Sequence, residues 1–356
     1  MVRSSLSLLA GLLMAGHAAA DTGSWRVYTR ASTDAYSESV SLHAIGNHLD
    51  DELKSGDASF IHAWAEVGMQ RDGLSFGVFT RYDWKTRYTP DTLTLIHLSE
   101  NDEAVPAGDY EVNLDVNHLR ASGIRLAWTF APVEHTRVTL GASWLNASYL
   151  IDGSIDASVD IATNGTVTGA GSFSQFYSHD YLLGRQVTEP DGSGATIDLA
   201  LEANWKKVDV TLSVQDLFSQ IKWRNAPATR GQFDSATTNT VGGQLVVTPL
   251  LSAFEYNAKH TQRLPAITRF TARVPVSERA SVGVAALYTQ GVTLPRLTGR
   301  MSLRPGLAID ASYETSMQAF GIGIETRWLR ISWLADTLDP KQARLMQVSL
   351  DFHIEL

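Results

Sequence analysis

The residues best placed to do chemistry in this sequence are charges set inside segments that alternate apolar and polar. Arg81 and Asp83 interleave with Leu74, Phe76, Val78, Tyr82 and Trp84. Successive side chains of a strand point to opposite faces, so such charges share the face opposite the apolar one. Arg125, Glu202, Asp209, Arg269 and Arg273 stand in the same relation to their neighbours. So do Arg300, Asp310, Glu314 and Glu325, with Arg327 and Arg330 close behind. A small dry core does not hold so many charges unpaired. A wet lumen would hold them, and their fields would then select ions and polar solutes. A lumen crossed by ion pairs would hold them too, and would be closed.

Other reactive arrangements are absent or incomplete. None of the ten histidines forms a His-Glu-x-x-His pair or another metal-binding spacing. His62, His118 and His353 fall in alternating segments and read as hydrogen-bonded wall or lumen residues. Gly-x-Ser-x-Gly is missing, and Gly171-Ser-Phe-Ser174 lacks the nucleophile elbow. Ser349 and His353 share the polar face of the last segment and read as structural. Gly153, Gly165, Gly169 and Gly171 lack the lysine and following helix of a phosphate cradle. No catalytic residue, metal or cofactor is expected.

The elements that must position the charges are strands. Ile197, Leu199, Leu201, Ala203 and Trp205 alternate with Thr196, Asp198, Glu202 and Asn204, and 208–214, 306–314 and 320–328 repeat the pattern. Trp84, Trp128, Trp144, Trp205, Trp328 and Trp333 fall toward segment ends, as an interfacial girdle would. Met346, Val348, Leu350, Phe352, Ile354 and Leu356 alternate with polar residues to the last position, as a closing strand requires. The fold expected is an all-β, antiparallel transmembrane barrel of about 16 strands, within a range of about 14–18. Its strands are expected near 36–48, 59–70, 73–85, 118–131, 136–150, 195–205, 208–217, 240–247 and 251–258. Seven more follow between 266 and 356. Short links (71–72, 131–135, 206–207, 248–250, 276–279, 305 and 327) then share one end. The long links 86–117, 151–194, 218–239 and 336–343 share the other. The segments 154–161 and 166–176, around Asn164-Gly165, form either an outer hairpin or two more wall strands.

The 356 residues are 19% charged and 44% hydrophobic, with mean hydropathy near zero. That average is too polar for a helical membrane protein and suits a barrel whose two faces cancel. The net charge of −9 argues against a nucleic-acid partner. The absence of cysteine removes disulfides, thiolate metal sites and a lipid anchor. Arg3, the apolar run Leu6 to Gly16 and Ala18-Ala-Ala20 form a signal peptide with expected cleavage after Ala20. Residues 21–356 would then form one barrel in a bacterial outer membrane, with membrane lipid and the barrel assembly machinery as partners.

Val210-Thr-Leu-Ser-Val-Gln-Asp-Leu-Phe-Ser-Gln-Ile-Lys-Trp223 resembles a strand-and-loop signature of the outer-membrane superfamily that holds long-chain fatty-acid channels and conjugation-type barrels. Arg263-Leu-Pro-Ala-Ile-Thr-Arg-Phe270 looks similar. The resemblance implies a barrel and assigns no functional residue; the Asn-Pro-Ala motif of the fatty-acid channels is absent. Three readings follow. The first is a transport barrel with a charged lumen, taking a small solute. The second is a non-conducting structural or assembly barrel of a secretion or surface-polymer system. The third is a barrel enzyme acting on lipid, for which no motif stands.

Overall fold

A computed structural model of the chain describes residues 23–49, 52–180, 184, 186–235, 238–241, 244–247 and 251–356. The expected signal peptide lies outside them.

Alternation builds the wall. It begins with β1 (Arg26–Ser37), β2 (Ala58–Arg71), β3 (Leu74–Tyr88), β4 (Gly108–Val133) and β5 (Thr136–Ile161). A short strand, β6 (Val167–Tyr177), precedes β7 (Asp191–Trp205) and the long β8 (Val208–Asp234). Beyond β9 (Thr238–Val241), β10 (Gln244–Val247) and β11 (Leu251–Gln262) come β12 (Ile267–Pro275), β13 (Ala280–Thr289), β14 (Val292–Arg304) and β15 (Leu307–Glu314). The chain ends in β16 (Ala319–Thr326), β17 (Leu329–Ala335) and β18 (Leu345–Glu355).

All pairings are antiparallel, and one sheet holds 16 of these strands. Fourteen of them close a ring. Every strand from β1 to β5 pairs with the next, β7 bridges β5 to β8, β8 pairs with β12, and β12 to β18 run in order. β18 then pairs with β1 from Leu345↔Tyr36 to Glu355↔Arg26. Closure leaves no edge in the wall, and the apolar residues of each strand face outward: Val67, Val78, Ile124, Leu126, Trp144, Leu297 and Ile322 are all exposed. This is the architecture of a transmembrane β-barrel.

Tight turns collect at one end. Asp72 (φ 50°) and Gly73 (φ 79°) make the left-handed pair that a two-residue hairpin needs, and Lys206-Lys207 repeats it without glycine. The amide of Leu356 donates to Trp25 O at this end.

The opposite end is taller and uneven. There the upper half of β5 pairs with β6, β6 pairs with β8, and β11 pairs with the upper half of β8, from Ile221 to Phe233. β11 and β12 follow one another down the same flank of β8. Between them, Gln262–Ile267 steps inward: the amide of Leu264 bonds Ser219 Oγ, and Pro265 O accepts from Lys85 Nζ on β3 at 3.0 Å. Two helices cover this end. α1 (Leu42–Gly46) is capped by Ser41. α2 (Pro90–Glu100) is capped by Thr89, with Pro90 at its first position. They pack through Val40, Ala44, Leu49 and Leu93.

Three expectations need correction. The first strand is 26–37, and 42–46, inside the strand expected at 36–48, is helical. The described residues of 240–247 form no wall strand but belong to a separate hairpin, β9–β10. Leu251 pairs with Phe233 at the tall end of β8, and the expected link 248–250 lies outside the described residues. Residues 218–234 are not loop but the upper half of β8. Of the two alternatives for 154–161 and 166–176, the structure has the hairpin, above the ring rather than in it.

Candidate functional site

The inner face of the ring is layered. At the tall end it is apolar. Tyr36, Phe60, Ile267, Leu287, Leu294, Leu334 and Leu345 form one buried cluster, and Phe79, Leu119, Leu145, Leu150, Ile221, Trp223 and Leu264 form another.

Below the apolar roof lies a layer of buried charge. Arg81 on β3 is fully buried, with Nε 2.6 Å from Asp83 and its two terminal nitrogens 2.9 and 2.6 Å from the oxygens of Asp216 on β8. The fork geometry matches a carboxylate bidentately. β3 and β8 are four steps apart around the ring, so this pair crosses the interior. Asp83 also bonds His62 Nδ1 at 2.7 Å. The Arg81 guanidinium lies 5.5 Å from the Trp64 ring, which stacks on Phe79. Arg269 on β12 pairs with Asp34 on β1. Those strands are seven steps apart in a ring of fourteen whichever way one counts, so this contact spans the full lumen.

The third layer lies toward the tight turns and is polar and open. Arg125 bonds Asp198 at 3.2 Å, and Asp198 also accepts from the Asp216 amide. Arg300 grips Glu325 with two bonds of 2.7 Å and reaches Asp310 at 3.3 Å; Arg273 approaches Asp310 at 3.7 Å, and Arg330 pairs with Glu325. A cavity of about 1250 Å³ opens here, lined among others by Arg279, Arg300, Arg304, Arg327 and Arg330. A smaller one of about 260 Å³ lies between Arg30, Glu66, Arg125, Asp198 and Arg269, and Asp351 lines both. On the far side of the charged layer a cleft of about 360 Å³ enters from the tall end, lined by Asp115, Asp152, His260, Gln290 and Pro265, with buried Lys85 in its wall.

The residues singled out in the sequence separate into groups. Arg81 and Asp83 meet in the central layer, which Arg269 also joins. Arg273, Arg300, Asp310, Glu325 and Arg330 form one chain of ion pairs nearer the turns. Arg125 stands apart with Asp198. Glu202 pairs with Arg137 near the tight-turn mouth, both exposed, and Asp209 accepts from Asn204 close by. Arg327 lines the wide cavity from the turn after β16. Glu314 takes a different role: buried, it accepts the amides of Ser316 and Met317 and holds the β15–β16 turn. Ser349 pairs its hydroxyl with Ser332.

The sequence reading passed over Asp34, Glu66 and Asp216. Asp34 had a signal, since it interrupts weakly apolar alternation. Asp216 had none, because it sits at φ 55° in an irregular stretch of β8, where the register to β7 shifts between Ile197 and Leu199.

No family model matches the chain, and no curated protein does. Solved structures resemble it at low identity. The toluene transporter TodX of P. putida is 12% identical over 94% of this chain and 89% of its own, with a TM-score of 0.38. A FadL homologue of Pseudomonas aeruginosa is 9% identical over 94% and 90%, also at 0.38. The outer membrane protease OmpT of Escherichia coli is 8% identical over 95% and 99%, at 0.25. The chain is similar to these outer-membrane barrels in overall plan, and its own strand pairings carry the fold assignment.

Proposed function

We propose that this chain is an outer-membrane transport barrel for a small polar or charged solute, shut at rest by its layer of buried ion pairs. The observation that carries the reading is the pair of openings on either side of that layer: the cleft at Lys85 from the tall end, and the wide arginine-lined cavity from the tight-turn end. Solute entering either side would meet Asp83, Arg81, Asp216, Asp34 and Arg269, and those residues would decide what passes. Ion pairs suit a gate because water or a charged solute can replace their partners, which an apolar plug would not allow.

A second reading is favoured by a different observation. Arg81 with Asp216 and Arg269 with Asp34 pair across the lumen and the roof above them is apolar, as a permanently closed structural or assembly barrel would have it. Planar-bilayer recording separates the two. The transport reading expects rare, small openings in the wild type and frequent larger ones when Asp34→Ala and Arg269→Ala are combined. No conductance in either protein would sink the transport reading and leave the structural one.

A further inference from the structure

We propose that the outer surface of this barrel carries a built site for the phosphate of a lipid headgroup, centred on Arg120. The proposal rests on the outer-membrane reading above. Arg120 pairs with Tyr82 on β3, in unbroken register with Val78↔Ile124 below, and with Tyr149 on β5, where one residue bulges out between Tyr149 and Ala147. Paired residues project to the same face, so Arg120 points outward with the apolar band. Its guanidinium lies 5.3 Å from the Tyr82 ring and 5.1 Å from the Tyr149 ring, a clamp from both sides. The side chain is exposed, and among the described residues no carboxylate pairs with it.

His118 shares the clamp. Its ring lies 4.8 Å from Tyr82 and 4.6 Å from Tyr149. It is 6% exposed, and its Nε2 has no hydrogen-bond partner. Other buried polar atoms of the wall also lack a partner, but His118 Nε2 belongs to a ring packed against the same two tyrosines that flank an exposed arginine.

The depth suits a headgroup. Arg120 lies level with Tyr82, eight residues above Leu74 and the Trp128 girdle. At roughly 3.3 Å per residue that is about 26 Å of strand, or about 20 Å of height at the usual barrel tilt. An outward band of about 25 Å marks the hydrocarbon, so Arg120 stands near its boundary at the tall end. Beneath it the wall is hollow: a cavity of about 540 Å³ is floored by Ala31, Ala63, Ala65, Thr80 and Ser122 and capped by Tyr82 and Arg120. The planar fork of arginine matches phosphate oxygens. A headgroup phosphate on Arg120 would leave an acyl chain to lie in the hollow, which a free phosphate could not fill.

The test titrates the purified full-length protein in detergent with lipopolysaccharide and follows its thermal midpoint. The wild type is expected to rise with lipid. Arg120→Gln should need at least about tenfold more lipid for the same rise, since it loses a charge-assisted contact. Arg120→Lys, which keeps the charge without the fork, should fall between and guards against a folding defect in the first variant. Dephosphorylated lipopolysaccharide should shift the wild type little. Equal titrations for all three proteins, an equal effect of the dephosphorylated lipid, or the same shift from inorganic phosphate alone would overturn the proposal. Membrane fractionation tells the two failures apart. Absence from the outer membrane defeats the barrel reading, whereas normal insertion with unchanged lipid titrations defeats only this site.

Discussion

Removing Arg81 tests whether the central layer is dry. Arg81→Met keeps most of the stem and deletes a guanidinium that is fully buried between Asp83 and Asp216. Asp83 keeps His62 as a partner, but Asp216 loses both of its short bonds to the fork. Breaking a buried pair by taking one partner costs about 3–5 kcal/mol, because the remaining charge stays out of water. Arg137→Met is the control: it faces Glu202 with the two side chains 68% and 49% exposed, and such pairs contribute about 0–1 kcal/mol. Urea titration of purified protein, read by heat-modifiable gel mobility, measures both. Adding Asp216→Asn to Arg81→Met should restore part of the loss, with a coupling of about 0.5–3 kcal/mol as expected for groups in one network. If Arg81→Met falls within about 0.5 kcal/mol of the wild type, an ordinary surface effect, water reaches the layer and the argument for a closed lumen fails.

Other expectations follow from the two faces. Leu199→Arg should impair assembly more than Glu202→Arg, since Leu199 pairs with Leu140 and Val214 on the outward face, where a midplane charge costs about 2–4 kcal/mol. Equal folded fractions on the same gel would mean the faces are misassigned. Neutralising Arg269 and Arg273 together should move reversal potentials in a salt gradient toward cation selectivity, because Asp34 and Asp310 lose partners as two positive charges go. A shift toward anions would contradict the pairing. Mass spectrometry of protein from outer membranes should find a mature chain beginning at Asp21; an intact Met1 in a soluble fraction would remove the basis of the whole reading.

Most of the wall was legible because period two is a strong signal wherever the outward residues are large. Strands β2, β3, β7 and β13 to β18 read directly from runs such as Leu74, Phe76 and Val78. The first strand hid because its faces are inverted in size: Val27, Thr29, Ala31, Thr33 and Ala35 point outward, while the bulky Tyr28 and Tyr36 are buried inside. A reader seeking apolar bulk finds it at Val40 and Leu42 instead, which belong to the cap of the tall end. The upper half of β8 hid because the alternation of Ile221, Lys222, Trp223 and Arg224 breaks at Asn225, which has a positive φ, and at Pro227, and the buried residues beyond, Ala226 and Ala228, are small. α2 announced itself only through Thr89-Pro90-Asp91, a cap signal without apolar periodicity. In the charged layer, alternation told which side chains point inward but not which would meet. Arg81 and Asp216 are 135 residues apart, and only ring closure sets their partnership.

The charges also explain why the wall settles into one register. A strand that slips by one residue exchanges its faces. In β3 that slip would turn Arg81, Asp83 and Lys85 outward and Tyr82 and Trp84 inward. At their height, near the upper edge of the hydrocarbon, each outward arginine or lysine costs only about 0–1 kcal/mol, so the slip is opposed chiefly by loss of the buried Arg81–Asp83 and Arg81–Asp216 pairs. An apolar lumen would offer no such resistance, because a slipped strand would then present hydrophobic residues on both faces. The small outward residues of β1 discriminate weakly for that reason. Arg30 and Asp34 supply what they lack, through pairs with Asp351 on the neighbouring β18 and with Arg269 across the lumen. Loss of Asp34 should therefore loosen the closing seam between β1 and β18 more than it loosens the β2–β3 hairpin. Backbone hydrogen exchange along Ala31 to Tyr36 in Asp34→Ala, compared with Val67 to Phe76, measures that difference. Equal protection in the two segments would show that backbone pairing alone holds the seam.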